Sequence, residues 1–284
     1  MNKINMVAEI RINHNGDLIQ ALNMIFLAKE AGFDYVKLQK RNPDICVPAY
    51  QKNVEKIVPW HDRPITYLQY KKEIEFNEEY IVINQYCKDA GIKWFVSVWD
   101  LNSVQFMWKY GLDLIKVPSA LMTDHQLIQR CKDLYPKVMV STGMSTQEEV
   151  DSMVECTHPN ILMHTNACYP TAFEDINLGY LYQLQYFNNS SNPIDVGYSN
   201  HCPNDVSLYM AAMMNVVKWI EVHVTLDRNA WGSDQKSSFQ LKDMGPIIDN
   251  IRLLEQNRDV FRKGCEDRKL YVGEEIKRKS LRGN

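Results

Sequence analysis

The stretch MVAEIRINHNG, residues 6–16, places a glutamate, an arginine and a histidine in and just after a short apolar run. Because side chains of a β-strand alternate between its two faces, Glu9, Arg11 and Asn13 are predicted to share one face, with isoleucines on the other. Unpaired charges are costly to bury. The charged face of this strand is therefore predicted either to form a structural ion pair at a sheet edge or to carry chemistry.

Seven further short runs rich in β-branched and aromatic residues follow, each bounded by turn signals. The eight predicted strands cover residues 6–12, 34–39, 93–98, 113–118, 137–142, 161–166, 194–199 and 219–225. Helical patterns separate them, over residues 18–32, 77–90, 101–110, 123–134, 145–156, 174–186, 203–216 and 242–262. Eight alternating strands and helices predict an α/β fold, a (β/α)8 TIM barrel. A doubly wound sheet is the alternative, but no GxGxxG loop occurs.

The chain is predicted to form one domain over residues 1–284, since no linker or low-complexity tract divides it. Its 45% hydrophobic content suffices for a large core. Residues 40–72 form the one long connection and are rich in Pro, aromatic and charged residues. Long loops in compact domains are usually functional or disordered, so this segment is predicted to be a lid or active-site loop.

Composition excludes several classes of protein. A net charge of −3 without basic clusters argues against nucleic acid as a partner. The sequence has seven cysteines, an odd number, and no CxxC motif, so neither disulfides nor a zinc knuckle is expected. A cytoplasmic location fits this use of cysteine best. The N-terminus lacks a signal-peptide core and no apolar run approaches 18 residues, so neither secretion nor a membrane partner is expected.

Polar side chains recur at the carboxyl ends of the predicted strands, where barrels of this kind build active sites. Taken singly, each has an ordinary explanation, such as a lysine that reaches solvent or a histidine satisfied in the core. Their recurrence at one end of successive strands favours a functional site. These side chains are Glu9, Arg11, Asn13, His14, Lys37, Gln39, Ser97, Asp100, Lys116, Ser119, Ser141, Thr142, His164, Thr165, Asn166, Tyr169, Ser199, His201, Glu221, His223, Asp227 and Asp234.

Two chemistries are suggested by this set. His201 and His223 end neighbouring strands, so both imidazoles could bind one divalent metal, and nearby carboxylates would suit Mn or Mg. Lys37 and Lys116, with serines close by, suit a phosphate-bearing anion. The predicted substrate is therefore an anionic small molecule.

The same residues lie in nine ordered motifs that span essentially the whole chain. The motifs are AEIRINHNG (8–16), AGFDYVKLQ (31–39), SVWD (97–100), IKVPSA (115–120), STGMST (141–146), YPT (169–171), GYSNH (197–201), IEVHVTLDR (220–228) and WGSDQKSS (231–238). In these motifs the sequence resembles the catalytic barrel of the sialic acid synthase family. Members of that family condense phosphoenolpyruvate with an N-acylated hexosamine such as N-acetylmannosamine, or a related aldose, to give a nine-carbon 3-deoxy-2-ulosonic acid and phosphate.

The resemblance implies a role for each matching residue. His201 and His223 would bind the divalent metal, and Glu9 would act as acid or base near the reacting centre. The predicted catalytic residues are Glu9, Lys37, Lys116 and His223. The predicted substrate-binding residues are Gln39, Ser119, Ser141, Asn166, Tyr169, Ser199, Asp234 and Arg11.

The sequence departs from the family pattern in four places. Arg11 stands where the family usually has Gly, and Val98 stands where many members have Thr. Ala167 replaces a small polar residue, with Asn166 one position earlier. The sequence ends at Asn284, whereas many members continue into an antifreeze-like domain that donates an arginine across a dimer to the sugar's acyl group. A homodimer of this chain would then use the barrel helices.

These departures leave alternatives open. Arg11 is hypothesised to supply a cationic contact in the barrel mouth; the alternative is an ion pair with Glu9 or Glu221. The acceptor could instead be a non-acetylated or phosphorylated aldose. A non-catalytic barrel that only binds its ligand is the third reading.

Overall fold

Eight parallel strands close into a barrel in this structure, a computed structural model that describes residues 3–258 and 270–282. The strands follow one another in chain order, and the first also pairs with the last. They are β1 (Asn5–Glu9), β2 (Tyr35–Lys40), β3 (Lys93–Val98), β4 (Leu114–Val117), β5 (Lys137–Ser141), β6 (Ile161–His164), β7 (Asp195–Asn200) and β8 (Val217–Thr225). The predicted (β/α)8 barrel is confirmed.

Each predicted helix is present, with shorter bounds at most ends. The helices between and after the strands are Leu18–Glu30, Glu79–Ala90, Leu101–Trp108, His125–Leu134, Gln147–Thr157, Tyr180–Gln185, Val206–Met213 and Met244–Gln256, and a further helix covers Val272–Arg282. Local sequence sets several starts: Asp17 accepts hydrogen bonds from two amides of the first turn, and Thr146 forms a capping box with Glu149. Of the last predicted helix, residues 259–262 lie outside the described residues.

The barrel interior is divided into an apolar and a polar layer. At the amino ends of the strands, apolar side chains fill it: Val7, Tyr35, Phe95, Leu114, Met139, Ile161, Met163 and Trp219. Gly197 is part of this packing, because a Cβ there would lie 2.6 Å from Trp219 Cβ and also against the Met163 sulfur. With its lower half filled, the barrel leaves space only at its carboxyl end.

The first strand is shorter than the sequence pattern predicts. It ends at Glu9, and residues 11–16 form a series of turns in which Arg11 and Asn15 have φ values of +48° and +50°. The prediction that Arg11 and Asn13 continue the strand face of Glu9 is therefore wrong. Instead the Asn13 amide donates to the Val224 carbonyl at 2.8 Å, which ties this turn to the end of β8.

The segment over residues 40–72 is folded rather than structureless. It contains the helix Pro43–Cys46, a 3-10 turn Ala49–Gln51, a hairpin of Glu55–Lys56 with Ile65–Thr66, and the start of the helix Tyr67–Glu73. Its Val58 and Tyr70 pack with Ile12 from the turn after β1 and against Trp231 from the loop after β8. The segment thus lies at the carboxyl end of the barrel, beside the mouth; its action as a lid stays a prediction.

The described part of the chain contains no helix long and apolar enough to cross a membrane. Six cysteines are free thiols, at positions 46, 87, 131, 156, 168 and 202. Cys265 lies outside the described residues.

Candidate active site

A cavity of about 130 Å³ opens at the carboxyl end of the barrel and collects most of the predicted site residues. Polar side chains that lie within or directly after each of the eight strands meet there. Its walls are formed by Glu9, Arg11, Lys37, Gln39, Ser97, Trp99, Lys116, Pro118, Ser119, Ala120, Ser141, Met144, Thr165, Ala167, Tyr169, Ser199, His201, Glu221 and His223. Two predicted substrate-binding residues, Asn166 and Asp234, do not line it.

Glu221 is the centre of a buried cluster in this cavity. Its carboxylate accepts from Lys116 Nζ at 2.8 and 2.9 Å, from Lys37 Nζ at 2.9 Å and from the Ser199 hydroxyl at 3.0 Å. Lys37 also contacts the carboxylate of Glu9. Two ammonium groups and two carboxylates therefore balance one another where water has little access.

Strand register brings these residues together. Glu9 on β1 lies opposite Lys37 on β2 and His223 on β8, while Glu221 lies opposite Ser199 on β7. All five point into the barrel because side chains two positions apart share a face. The sequence pattern singled out Glu221 as a polar residue at a strand end, but no catalytic, substrate-binding or metal-binding role was predicted for it.

Burial shifts the ionisation of the cluster. It would raise the pKa of Glu221, but the neighbouring Lys116 and Lys37 outweigh that effect and hold the carboxyl pKa at about 2. Burial also lowers the pKa of Lys37 to about 7; the Glu221 carboxylate opposes the shift and Lys116 adds to it. An ammonium has three donors, and Lys37 spends two on carboxylates. One donor remains available to an anion.

Several buried polar atoms in the cavity walls have no hydrogen-bond partner among the described residues. They are Glu9 Oε1, Ser97 Oγ, Ser141 Oγ, Trp99 Nε1 and His223 Nδ1. Buried polar groups normally find a partner, so this set points to a polar ligand. Ser97 was not among the predicted substrate-binding residues, although it is the last residue but one of its strand and lies opposite Lys116.

His201 and His223 lie side by side, with ring centroids 5.1 Å apart. His201 Nδ1 is 2.6 Å from the Asn166 carbonyl oxygen, so Nδ1 carries the proton, and Nε2 lies 3.0 Å from the Tyr169 hydroxyl. Burial lowers the pKa of His201 to about 3 and holds the pKa of His223 well below its usual value. Both rings are therefore neutral, the form that binds metals.

The donor set fits a divalent ion held by two protein ligands. His223 Nδ1 is buried without a partner, and the His201 proton is fixed on the nitrogen that faces the backbone. Within residues 3–258 and 270–282, no group of three or more histidines, cysteines or carboxylates comes together as a metal site. The carboxylates Glu9 and Glu221 instead pair with lysines.

Arg11 lines the cavity but pairs with neither carboxylate that the sequence suggested. Its Nε lies 2.8 Å from Oδ2 of Asp234, so the predicted pairing with Glu9 or Glu221 is wrong. Its guanidinium also lies 5.0 Å from the centre of the Tyr169 ring. The positive φ of Arg11 is a conformation that Gly adopts without strain, which explains why a Gly suits this position.

Asn166 turns its side chain away from the cavity. Its amide donates to the Asp175 carbonyl at 3.1 Å, and its side-chain oxygen accepts from the Cys168 amide at 2.9 Å. Ala167 lines the cavity at this point instead. Asn166 still reaches the site through its backbone carbonyl, which orients His201.

Fold and site together define a (β/α)8-barrel enzyme with a buried cluster of lysines and carboxylates in its carboxyl-terminal mouth. A sequence model of the NeuB family matches residues 24–263, and the chain belongs to this family. The resemblance stated from the motifs is thereby confirmed. The curated relatives named below are synthases, and this chain is likewise a transferase-type condensing enzyme.

Two curated relatives cover most of the chain. The N,N'-diacetyllegionaminic acid synthase of Campylobacter jejuni is 27% identical over 290 residues, which cover 99% of this chain and 85% of the relative. The human N-acetylneuraminate-9-phosphate synthase is 28% identical over 257 residues, with 88% and 70% covered. Among solved structures, the N-acetylneuraminic acid synthetase of Leptospira borgpetersenii superposes on this chain with a TM-score of 0.81 at 24% identity. The superposition covers 100% of this chain and 94% of the Leptospira chain, and it supports the fold.

Proposed function

We propose that this enzyme condenses phosphoenolpyruvate with an aldose that resembles N-acetylmannosamine, and releases a 3-deoxy-nonulosonic acid and phosphate. The observation that carries the proposal is the buried cluster of Lys37, Lys116 and Glu221 beside two neutral histidines. The names of the relatives agree with it, since they make legionaminic acid or N-acetylneuraminate 9-phosphate. The acceptor sugar itself is a further question.

Phosphoenolpyruvate carries a phosphate and a carboxylate, and the cavity offers a donor set of matching charge. The free N–H groups of Lys37 and Lys116 bind these anions, and the unpartnered hydroxyls of Ser97 and Ser141 donate to their oxygens. Glu221 keeps both lysines at fixed positions, so little reorganisation is needed when the substrate arrives.

His201 and His223 would hold a divalent ion, Mn or Mg, which would supply Lewis-acid polarisation of the acceptor's carbonyl oxygen. Two neighbouring groups orient the His201 ring. The Asn166 carbonyl fixes the proton of His201 on Nδ1, and the Tyr169 ring packs 4.1 Å from the His201 ring, centroid to centroid.

In the reaction, C3 of phosphoenolpyruvate forms a bond to the aldehyde carbon, and the aldehyde oxygen takes up a proton to become a hydroxyl. Water then adds to the cationic C2 and gives up one proton. Glu9 is suited to accept that proton at Oε1, the oxygen that has no other partner. Last, the C2–O bond to the phosphate breaks while the C2 hydroxyl gives its proton to the departing phosphate, which leaves the C2 ketone and inorganic phosphate. The proton that Glu9 then releases to solvent balances the one that the aldehyde oxygen took up.

A phosphate-release assay tests this function. Purified enzyme, phosphoenolpyruvate, Mn²⁺ and N-acetylmannosamine are expected to release phosphate, and His223→Ala is expected to abolish the release. His125→Ala is the matched control, since His125 begins a helix on the barrel's outside and is not part of the cavity wall. Equal release by wild type and His223→Ala would refute the assignment of the site. Silence across a panel of aldoses would refute the reaction.

A further inference from the structure

A second cavity, of about 310 Å³, adjoins the first at the barrel mouth. Arg11 and Trp99 belong to the walls of both, so the two spaces share a border. The outer walls of the second cavity come from the segment over residues 40–72, including Tyr67 and Lys71. It is therefore a side chamber that lies directly beside the first cavity.

Three cations line this side chamber: Arg11, Arg41 and Lys71. Asp234 neutralises Arg11 at 2.8 Å. The one carboxylate within salt-bridge distance of Arg41 among the described residues is Glu75, with a long contact of 3.6 Å between Arg41 Nε and Glu75 Oε2, and the guanidinium also donates to Oε1 of Gln39.

Lys71 stands out within the described part of the chain because no carboxylate lies within salt-bridge distance of it, although only 9% of the residue is exposed. Its Nζ instead lies 5.2 and 5.0 Å from the ring centres of Tyr67 and Tyr70. Burial, together with the nearby charges of Arg41 and Arg11, lowers the pKa of Lys71 to about 7, and the more distant carboxylate of Asp234 opposes the shift. A buried ammonium without a counter-charge is costly, and a bound anion would remove that cost.

The shared border also carries an unsatisfied donor. Trp99 Nε1 is buried and has no hydrogen-bond partner in the part of the chain that the structure describes, and the Arg41 guanidinium lies 4.6 Å from the centre of the Trp99 ring. The chamber thus combines an excess of positive charge with a free N–H donor. Phosphoenolpyruvate has its own lysines in the first cavity, so the charge of the side chamber is available to the second substrate.

We propose that the side chamber binds a phosphate or carboxylate group on the acceptor sugar, at the end remote from its aldehyde, and that the acceptor is an anionic aldose. This inference rests on the proposed function, because it assigns the acceptor to the space beside the phosphoenolpyruvate site. Lys71 and Arg41 bind the anion, and Trp99 Nε1 donates to one of its oxygens. Arg11, held by Asp234, forms the border between the two substrates.

Calorimetric binding tests the chamber directly, with full-length enzyme, phosphoenolpyruvate present and no metal added. The three probes are mannose, mannose 6-phosphate and mannuronate, so the two anionic arms distinguish phosphate from carboxylate. At least one anionic probe is expected to bind ten-fold or more tightly than mannose. Lys71→Met is expected to bring its Kd back to that of mannose. Lys56→Met is the matched control, since Lys56 also lies over the Tyr70 ring but outside the chamber.

Equal Kd values for all three probes in the wild type would overturn the inference, and this outcome needs no variant to fold. An anionic preference that survives in both Lys71→Met and Lys71→Gln would overturn it as well. Phosphate release measured on the same probes and on N-acetylmannosamine separates the two claims. Turnover of N-acetylmannosamine without any preference for anionic probes would support the proposed reaction and refute the anion-binding role of the side chamber. If anionic probes bind, Lys71→Met abolishes that binding, and no sugar is turned over, the anion-binding role of the side chamber is supported and the proposed reaction is refuted.

Discussion

Replacing Lys116 by methionine is expected to unbalance the charge of the buried cluster. In the wild type the ammonium groups of Lys37 and Lys116 balance the carboxylates of Glu9 and Glu221. Lys116→Met leaves two carboxylates and one ammonium. Glu221→Gln leaves the opposite excess, and the double variant returns to one of each.

Breaking a buried pair by removing one partner costs about 3–5 kcal/mol, because a charge is left uncompensated. Both single variants are expected to lose that much free energy of unfolding, since Glu221 and Lys116 are 1% and 3% exposed. The double variant carries no such excess. Its loss of unfolding free energy is expected to be smaller than the sum of the two single losses by about 2–3 kcal/mol. That difference is at the upper end of coupling energies between residues in contact.

Urea unfolding of the four proteins at pH 6, below the pKa of about 7 for Lys37, followed by circular dichroism, measures this coupling. A parallel cycle with Arg252→Met and Glu255→Gln is the control, because that pair is longer, 3.4 Å, and its arginine is partly exposed. Its coupling is expected to be below about 1 kcal/mol. Losses that add within about 0.5 kcal/mol at Lys116 and Glu221 would refute the charge-balance explanation of the cluster.

Two further predictions concern stability. Gly197→Ala is expected to cost about 1–3 kcal/mol of unfolding free energy because its Cβ would lie 2.8 Å from the Trp219 carbonyl oxygen. Gly245→Ala is the control, since a Cβ at that position would meet no neighbouring atom within 4 Å. Equal urea midpoints for the two variants would contradict the packing argument. Burial lowers the pKa of His14 to about 4. Between pH 6.5 and 4 this histidine is therefore protonated in the unfolded chain but neutral in the folded one, so the free energy of unfolding decreases as the pH falls. From pH 7 to 5 this loss is about 2 kcal/mol, and His14→Asn should show a correspondingly smaller pH dependence in urea titrations; an unchanged dependence would exclude His14 as its source.

The fold could be predicted because each barrel strand is a short apolar run whose position does not depend on distant contacts. The exception is instructive. Alternation continues through Arg11 and Asn13, but the strand stops at Glu9 because the Asn13 amide bonds to Val224, more than 200 residues away. Local periodicity cannot represent such a contact.

The site was predictable where its residues end strands and not where they lie in loops. Lys37 and His223 project into the mouth because strand geometry directs them there. The partner of Arg11 was missed because Asp234 belongs to an irregular loop that has no period. Lys71 was missed for a related reason: its position beside the mouth depends on how the segment over residues 40–72 packs against Trp231.

The pairing of β1 with β8 has a consequence for biosynthesis of the enzyme. Glu9 obtains its neighbour His223 only when the last barrel strand has left the ribosome, because that strand is made more than 200 residues later. A nascent chain with seven strands has Lys37 but lacks Glu221, the carboxylate that holds both lysines. A ligand that binds this cluster can therefore stabilise only the finished barrel, and not a nascent chain that still lacks its last strand.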